Sequence, residues 1–245
     1  YVIILVEYMR LILRRFFYII LAVCFFVQLY IGVRVYWFAS CVIPTYSMAP
    51  TLIEGDYIVA NLQIPGRRVL KENANGNLTV CRKEGVRAVA KGDVVVFNFP
   101  YSEDKKKMIL SMKLFYCKRC VGIPGETYRW QWDKKESSVY IPGKGDCIKI
   151  DSTNYHQYYK CIEYETTRQM KLEKGKVYLS DSLLTSYSFQ HDYYFMQGDH
   201  TGDSYDSRFW GILPDDFILG VGQFIWFSKD RKADTVRWER IFTKL

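Results

Sequence analysis

Histidine is scarce in this chain of 245 residues, which contains only His156, His191 and His200. The chain also lacks the Gly-x-Ser-x-Gly turn that presents the nucleophile of α/β-hydrolases. A Ser-His-Asp triad stays open on composition alone, because the chain has many aspartates. His156 lies in a polar segment typical of a solvated surface, and a structural or surface role is the simpler interpretation of the other two. The search for a general base therefore extends to other residue types.

Regular cysteine spacing is also missing, and an odd number of cysteines does not indicate a disulfide framework. Cys117 and Cys120 have CxxC spacing, but no second Cys or His pair completes a zinc site. We therefore expect no metal and no cofactor, with redox or metal chemistry as a minor hypothesis. Pairing of Cys147 with Cys161 stays open. The seven cysteines are Cys24, Cys41, Cys81, Cys117, Cys120, Cys147 and Cys161.

Nucleic-acid motifs are absent, although the chain is basic. Its net charge is +8 and its pI is about 9.0. It has no aromatic-and-basic RNA motif, zinc-finger spacing or recognition-helix pattern, which argues against nucleic acid as a partner. A basic protein is equally suited to an anionic membrane surface, so we expect membrane lipid among its partners.

One long stretch, residues 16–33 (FFYIILAVCFFVQLYIGV), carries no charge at all and has arginines on both sides. About 20 apolar residues cover the hydrocarbon core of a bilayer, so we predict a transmembrane anchor over residues 16–37. Three arginines before the span and one after it predict a cytoplasmic N-terminal segment, residues 1–15. A cleavable signal peptide is the alternative, with FAS at 38–40 as a faint cleavage motif, but its apolar region would be shorter.

After the anchor, runs of β-branched and aromatic residues alternate with Gly and Pro turns. Helical periodicity is weak and confined to residues near 163–173. The pattern predicts an all-β fold, with a barrel-like or sandwich body formed by residues 41–130 and 176–245. Residues 131–175 are predicted to form a small inserted subdomain, and residues 62–91 an extended hairpin or loop. The predicted strands cover residues 56–61, 93–99, 108–119, 127–132, 138–141, 176–180, 193–197 and 217–228.

A serine lies between two prolines where the chain leaves the predicted membrane. Ser47 is enclosed by Pro44 and Pro50 in the segment PTYSMAPT. Each proline fixes its own φ, so the segment is stiff, and a stiff loop holds a nucleophile in place. A lone serine in a turn is more often structural, and a serine nucleophile needs a base. Ser47 is therefore a candidate that depends on a partner.

Lys118 is the candidate base. It lies in the apolar segment FYCKRCVGIPGE, where strand alternation places it on one face with Tyr116 and Cys120, and Arg119 on the other. A lysine among apolar side chains loses solvation of its charged form, which lowers its pKa from about 10.4. A neutral lysine can then take a proton from Ser47. The alternative is a Lys–Arg pair on a solvated strand face.

The segment MQGDHTGDSYDSRFWGILPDDFILG, residues 196–220, concentrates Asp, Ser and Gly. Asp206 and Arg208 can form an ion pair that braces a loop, and a serine hydroxyl here can orient the lysine amine. Asp199, Asp203 and Asp206 raise the alternative of a calcium loop. The EF-hand spacing and its terminal Glu are missing, so the braced loop is the favoured interpretation.

Taken in order, four segments resemble the type I signal peptidases, or leader peptidases. They are IPTYSMAPTLIEGDYI, KGDVVVFNFP, KRCVGIPGE and GDHTGDSYDSRFWGILPDD. One such segment alone is weak evidence of a relationship, whereas four in this order behind an apolar span are specific evidence. The resemblance covers the anchor and nearly all of the β-rich region, while residues 131–175 match the family's variable insertion only by position. His200 and Glu126 replace the usual Asn and Asp of that family, at positions that are not catalytic.

The resemblance implies a Ser/Lys dyad, with Ser47 as nucleophile and Lys118 as general base. Thr45 matches the hydroxyl residue that forms an oxyanion hole with the Ser47 backbone N–H. The positions that match the lysine-orienting serine, the supporting ion pair and the start of its loop are Ser204, Asp206, Arg208 and Asp199. Our candidates for the walls of the substrate pockets are Met48, Pro50, Phe97 and Phe99.

The function implied is a membrane-anchored serine endopeptidase that removes signal peptides from exported preproteins through an acyl-enzyme, cutting after small residues of the Ala-x-Ala type. Resemblance alone places it in a bacterial inner membrane, as a single-pass protein with its catalytic domain on the outer, periplasmic face. Two alternatives stay open. One is a related Ser/Lys maturation peptidase with a narrow substrate, and the other is a non-catalytic, membrane-tethered β-domain that binds polypeptides or lipids.

Overall fold

The computed structural model describes residues 2–72, 78–102 and 107–245, with the side chains of all of these except 2–7 and 35. The chain begins with one long helix, α1 (Val2–Tyr36). Its stretch Tyr8–Arg34 is long and apolar enough to cross a membrane, and none of it is buried by the rest of the protein. At about 1.5 Å per residue, these 27 residues extend roughly 40 Å, more than a bilayer core requires. The predicted anchor is therefore part of a longer helix.

The body that follows is mostly β-structure, as predicted. Among the described residues it contains two further helices, α2 (Tyr155–Thr166) and α3 (Ser207–Trp210), with 3-10 turns at Asp215–Phe217 and Trp238–Arg240. The strands are β1 (Phe38–Val42), β2 (Asp56–Asn61), β3 (Arg68–Glu72), β4 (Leu78–Arg82), β5 (Val94–Asn98), β6 (Phe115–Gly122), β7 (Glu126–Trp132), β8 (Lys135–Ile141), β9 (Cys147–Lys149), β10 (Met170–Glu173), β11 (Lys176–Leu179), β12 (Ser182–Leu183), β13 (Ser186–Ser188), β14 (Tyr193–Gln197), β15 (Leu213–Pro214), β16 (Ile218–Asp230) and β17 (Thr235–Val236).

One antiparallel sheet dominates, in the order β1-β2-β16-β5-β6-β14-β15, with β17 paired to the end of β16. The 13-residue strand β16 pairs with β2 along most of its length and with β5 at its start, and shifts of register bend it between these partners. The pairings end at β1 and β15. The predicted barrel-like or sandwich body is therefore confirmed as mostly β-structure, and a closed barrel is not seen among the described residues.

The described part of the chain also forms four small sheets: β3–β4, β7–β8, β9–β13 and β10–β11–β12. The hairpin predicted within residues 62–91 is present as β3–β4, although residues 73–77 of that prediction lie outside the described part of the chain. The segment predicted as an insertion contributes α2, whose buried face consists of Tyr158, Cys161 and Ile162. These side chains join the main hydrophobic cluster and do not form a core of their own.

Two sequence predictions are displaced in the structure. The strand predicted at 108–119 is β6, which starts only at Phe115, because the chain turns after Pro100 and Ile109 N donates to Pro100 O (3.0 Å). The weak helical period near 163–173 belongs to α2, which begins earlier, at Tyr155. Its first turns contain three tyrosines, which are weak helix formers, and burial of one face holds the helix in place.

A second, smaller hydrophobic cluster lies beneath the turn between β1 and β2. It contains Ile43, Met48, Leu52, Ile58, Ala60, Val94, Val96 and Ile225. This cluster supports the segment that carries Ser47.

Candidate active site

The loop that carries Ser47 is pinned at its base and packed from below. Ile43 N donates to Asp56 O (2.8 Å), which closes the loop where β1 ends and β2 begins. Met48 and Leu52 are both buried in the second cluster, and Leu52 N donates to Met48 O (2.9 Å). The apolar residues after Ser47 thus hold the backbone in place and leave the serine itself half-buried at the surface.

Lys118 reaches Ser47 from the centre of the sheet. It lies in β6, opposite Val95 of β5, and it is only 4% exposed. Its Nζ donates a hydrogen bond to Ser47 Oγ. Burial lowers the pKa of the Lys118 ammonium below its ordinary value of 10.5, against the opposing influence of Asp206 and Asp199. The result is an amine that releases its proton more readily than a surface lysine does.

Thr45 places a second hydroxyl at the same point. Its Oγ1 lies 3.4 Å from Ser47 Oγ, and the side chain is exposed. No described residue accepts a hydrogen bond from the Ser47 backbone N–H. Thr45 and the Ser47 backbone therefore offer two donors beside the nucleophile, which is the requirement for binding an oxyanion.

The loop after β14 packs directly against the serine. His200 N donates to Ser47 O (3.2 Å). Gly198 is required here, because a Cβ at this position would clash with Ser47 O and with Ser204 Oγ. Ser204 Oγ is buried and makes no hydrogen bond with any described residue. A buried hydroxyl without a partner thus lies next to the serine loop.

A buried ion pair braces this loop. Asp206 is completely buried, and its carboxylate accepts from Gly198 N (2.9 Å), Arg208 Nε (2.8 Å) and Arg208 Nη2 (2.8 Å). The Arg208 side chain is 3% exposed and stacks at 4.7 Å on the Trp132 ring. Asp206 also caps α3 by accepting from Arg208 N (3.2 Å). One carboxylate therefore fixes both the start of the loop and its end.

Asp199 has a partner that the sequence analysis did not assign. Arg119 donates from Nε (2.7 Å) and Nη2 (2.6 Å) to the two carboxylate oxygens of Asp199, and Nη2 also reaches Thr51 Oγ1 (3.2 Å). Burial raises the pKa of Asp199, but the hydrogen bonds from Arg119 and Thr51 outweigh burial and hold it below its usual value. Strand alternation had placed Arg119 opposite Lys118, and an arginine on an apolar strand was the only signal of a buried carboxylate nearby.

A second clamp comes from the end of the chain and was also missed. Arg240 binds the buried carboxylate of Asp56 through Nε (3.0 Å) and Nη2 (2.7 Å), and Nη2 donates to Thr51 O (2.9 Å). Ser228 Oγ donates to the same carboxylate (2.6 Å). Arg240 thus ties the C-terminal segment to the loop that contains Ser47.

The four proposed wall residues differ in placement. Pro50 is exposed beside Ser47, whereas Met48, Phe97 and Phe99 are buried. Phe97 packs at 5.9 Å from the Trp210 ring and forms part of the main cluster. A substrate role for these residues stays a prediction.

Among the described residues, no histidine ring and no candidate metal ligand makes a hydrogen bond with Ser47, and His200 contacts it only through its backbone N. His156 is exposed on α2, and His191 binds Asp215 through Nδ1 (3.0 Å). His191, Asp215 and Asp216 bring possible ligand atoms within 4.8 Å of one another, but Tyr164 already donates to Asp216 Oδ2 (2.9 Å). This group is satisfied as a network of ion pairs and hydrogen bonds.

The aspartates of the loop after β14 are not arranged as metal ligands, and the cysteines form no disulfide bond. Asp199 and Asp206 are committed to arginines and Asp203 is exposed, which does not form a calcium site. All seven cysteines are free, and burial raises the pKa of the Cys117 and Cys120 thiols to about 12. These two thiols are therefore protonated and unreactive at neutral pH.

Comparison with known proteins identifies relatives of this arrangement. The family model described as "Signal peptidase, peptidase S26" matches residues 13–227. The chain is 28% identical to Signal peptidase I of Aquifex aeolicus, over 86% of this chain and 82% of that protein. It is also 28% identical to Signal peptidase I of Haemophilus influenzae, over 87% of this chain and 71% of that protein. The residues matched by the family model include most of the apolar helix, the Ser47 loop, Lys118 and the loop after β14.

Proposed function

The chain belongs to the signal peptidase family of S26 peptidases, and we propose that it is a membrane-anchored serine endopeptidase that removes signal peptides from exported preproteins. The observation that carries the proposal is the direct hydrogen bond between Lys118 Nζ and Ser47 Oγ. A surface lysine beside a serine is common, but a lysine that is 4% exposed and bonded to a serine in a pinned loop is a functional arrangement.

Acylation starts from neutral Lys118. Its Nζ lone pair takes the proton of Ser47 Oγ while Oγ attacks the scissile carbonyl carbon, and the resulting ammonium gives that proton to the leaving amine. The peptide bond breaks and an ester to Ser47 remains. Lys118, again neutral, then removes a proton from a water molecule that attacks the ester carbon. The ester C–O bond breaks, the Lys118 ammonium returns that proton to Ser47 Oγ, and the signal peptide is released.

The developing oxyanion is held by Thr45 Oγ1 and the Ser47 backbone N–H. Loss of one such donor typically costs about 100- to 1000-fold in kcat. Thr45 lies in the same pinned loop as the nucleophile, so the two donors move with it and need little reorganisation during the reaction.

The supporting residues act through position. Asp206 and Arg208 hold the loop that contacts Ser47, and Asp199 ties the same loop to Arg119 beside Lys118. Ser204 has a free buried hydroxyl next to this contact and is assigned the role of orienting the Lys118 amine. A serine hydroxyl already engaged in other hydrogen bonds would be less free to reorient toward the Lys118 amine when that amine gains or loses a proton.

The substrate is a preprotein with small residues at the two positions that face the enzyme, of the Ala-x-Ala type. We assign its shallow binding pockets to Pro50, Met48, Phe97 and Phe99, and an extended substrate segment adds alongside the sheet. Helix α1 anchors the protein in a bacterial inner membrane, with the catalytic body on the periplasmic side and in contact with lipid. This position explains why Ser47 follows the apolar helix so closely in sequence, because the cleavage site of a signal peptide emerges at the membrane surface.

The test is cleavage of a preprotein with an Ala-x-Ala site by the full chain in detergent. We expect cleavage after that site by the wild type and none by Ser47→Ala or Lys118→Met. The exposed positions Ser152 and Lys171 provide the matched controls Ser152→Ala and Lys171→Met, which should keep full activity. Full activity in Lys118→Met would assign the base elsewhere. An inactive wild type that a serine-acylating reagent still labels at Ser47 would indicate a narrower substrate, and an unlabelled one a binding protein.

A further inference from the structure

The junction between α1 and the body is built from specific contacts. The last carbonyls of a helix have no partner within the helix, and α1 ends at Tyr36. Gln63 Nε2 donates to Tyr36 O (2.5 Å), and Leu62 N donates to Trp37 O (2.9 Å). The body therefore caps the end of the apolar helix through the segment that follows β2.

Arg67 adds a second contact at the same point. Its guanidinium lies 3.9 Å from the centre of the Tyr36 ring. A guanidinium over an aromatic face is attractive, and a positive charge near a helix C-terminus is favourable. We call Gln63 and Arg67, with the Tyr36 they hold, the clasp.

The clasp residues belong to a rigid part of the body. Gln63 N donates to Asn61 Oδ1 (2.9 Å), and Gln63 O accepts from Val86 N (2.9 Å). Arg82 donates to Gly66 O (2.5 Å) and also to Ile218 O (2.8 Å) at the start of β16. These hydrogen bonds fix the segment that carries Gln63 and Arg67 to the main sheet.

The angle between α1 and the sheet decides how far Ser47 stands from the membrane. Strand β1 begins two residues after Tyr36 and spans five residues, roughly 17 Å at 3.3–3.4 Å per residue, before the Ser47 loop. That length is the greatest height that β1 can add, and tilting the body about its junction with α1 reduces it. A substrate whose apolar segment lies in the same bilayer must reach Ser47 at whatever height the junction fixes.

We propose that the clasp sets the cleavage position, so that Gln63 and Arg67 are positioning residues that select sites by their distance from the apolar segment of the substrate. This inference rests on the proposed function. It assigns the selection of distance to the anchor junction and leaves the selection of small side chains to the pockets beside Ser47. A body free to tilt on α1 accepts sites over a wider range of distances.

The experiment uses the full chain in lipid vesicles and a preprotein with two identical Ala-x-Ala sites, about five and about nine residues beyond its apolar segment. The wild type should prefer one site. The double variant Gln63→Ala with Arg67→Ala loses one cation–π contact and one hydrogen bond, so it should bring the product ratio roughly fivefold or more closer to equal cleavage. Arg67→Lys keeps the charge and loses the planar stack, so its product ratio should lie between those of the wild type and the double variant.

Three comparisons make the result decisive. Cleavage of a short soluble peptide with the same site should be unchanged in the variants, which shows that the dyad is intact. Arg168→Ala, at an exposed arginine far from the clasp in sequence, should keep the wild-type ratio. If the double variant fails to fold, Gln63→Met with Arg67→Met keeps the apolar bulk and is tested in its place. An unchanged site ratio in variants that cleave both substrates overturns the inference alone, whereas a wild type that cleaves neither overturns the proposed function and the inference with it.

Discussion

Burial of Lys118 lowers its pKa, which favours catalysis, but it also costs folding stability. Because burial lowers its pKa, the folded chain binds fewer protons than the unfolded chain between the folded pKa and 10.5, and stability rises with pH across that window. Below the folded pKa, Lys118 is charged in the folded chain, and the free energy of unfolding is reduced by the full cost of burying that charge. We expect Lys118→Met to raise the melting temperature at about pH 7 while lowering kcat by about 100- to 10,000-fold.

Thermal unfolding at several pH values checks this prediction. The melting-temperature gain of Lys118→Met should shrink as pH rises and wild-type Lys118 loses its proton, and wild-type activity should rise over the same range. Lys118→Arg is the control, because an arginine stays protonated and gains neither activity nor stability. A Lys118→Met protein that melts below the wild type at about pH 7 would contradict the argument.

The residues of the site differ in how far the sequence could predict them. Strand alternation and an apolar neighbourhood made Lys118 a candidate base but left a Lys–Arg pair on a solvated strand face open, and only the family resemblance paired it with Ser47. The clamps Arg119–Asp199 and Arg240–Asp56 join positions 80 and 184 residues apart, and no local pattern links such partners. The resemblance pointed to Asp199, and only the fold shows what it binds.

At the scale of elements, the loop from Gly198 to α3 depends on one buried ion pair. Asp206→Asn keeps the shape of the side chain but leaves Arg208 buried without a counter-ion. Breaking one partner of a buried pair costs about 3–5 kcal/mol, so we expect a loss of that order in the free energy of unfolding, together with a fall in activity. Urea unfolding of the wild type and the variant measures the loss.

A surface ion pair provides the matched control. Asp234 pairs with Lys229 and is 83% exposed, and Asp234→Asn should cost about 0–1 kcal/mol in the same measurement. A cost for Asp206→Asn no greater than that of the control would mean that Arg208 finds other partners and that the pair does not brace the loop.

The elements themselves were predictable where one face of a strand is buried. The predicted strands at 56–61 and 193–197 are β2 and β14 with unchanged bounds. The sequence analysis predicted no strand at α2 and only a weak helical period near 163–173, because local preference and tertiary packing disagree there. The tyrosines of α2 favour a strand, yet burial of Tyr158, Cys161 and Ile162 against the main cluster stabilises a helix.

At the scale of the whole molecule, His191 lies where α2 meets the main sheet. It binds Asp215 (3.0 Å) and lies 3.6 Å from Asp216, which in turn accepts from Tyr164 of α2. Burial lowers the pKa of His191, but the two carboxylates outweigh burial and raise it above 6.5. A raised pKa means stabilisation that is complete below 6.5 and is lost as pH rises through the folded value.

We therefore expect His191→Asn to lower the melting temperature most at about pH 5.5, and the difference from the wild type to shrink as pH rises through the raised pKa. Melting curves between about pH 5 and 9 measure this difference. His156 is exposed on α2 and has no carboxylate partner among the described residues, so His156→Asn controls for the loss of an imidazole as such. The burial of α2 and the hydrogen bond from Tyr164 to Asp216 hold α2 against the core, whereas the ion pairs of His191 with Asp215 and Asp216 exist only while the imidazole is charged. A difference that stayed constant or grew with pH would show that His191 acts here by packing alone.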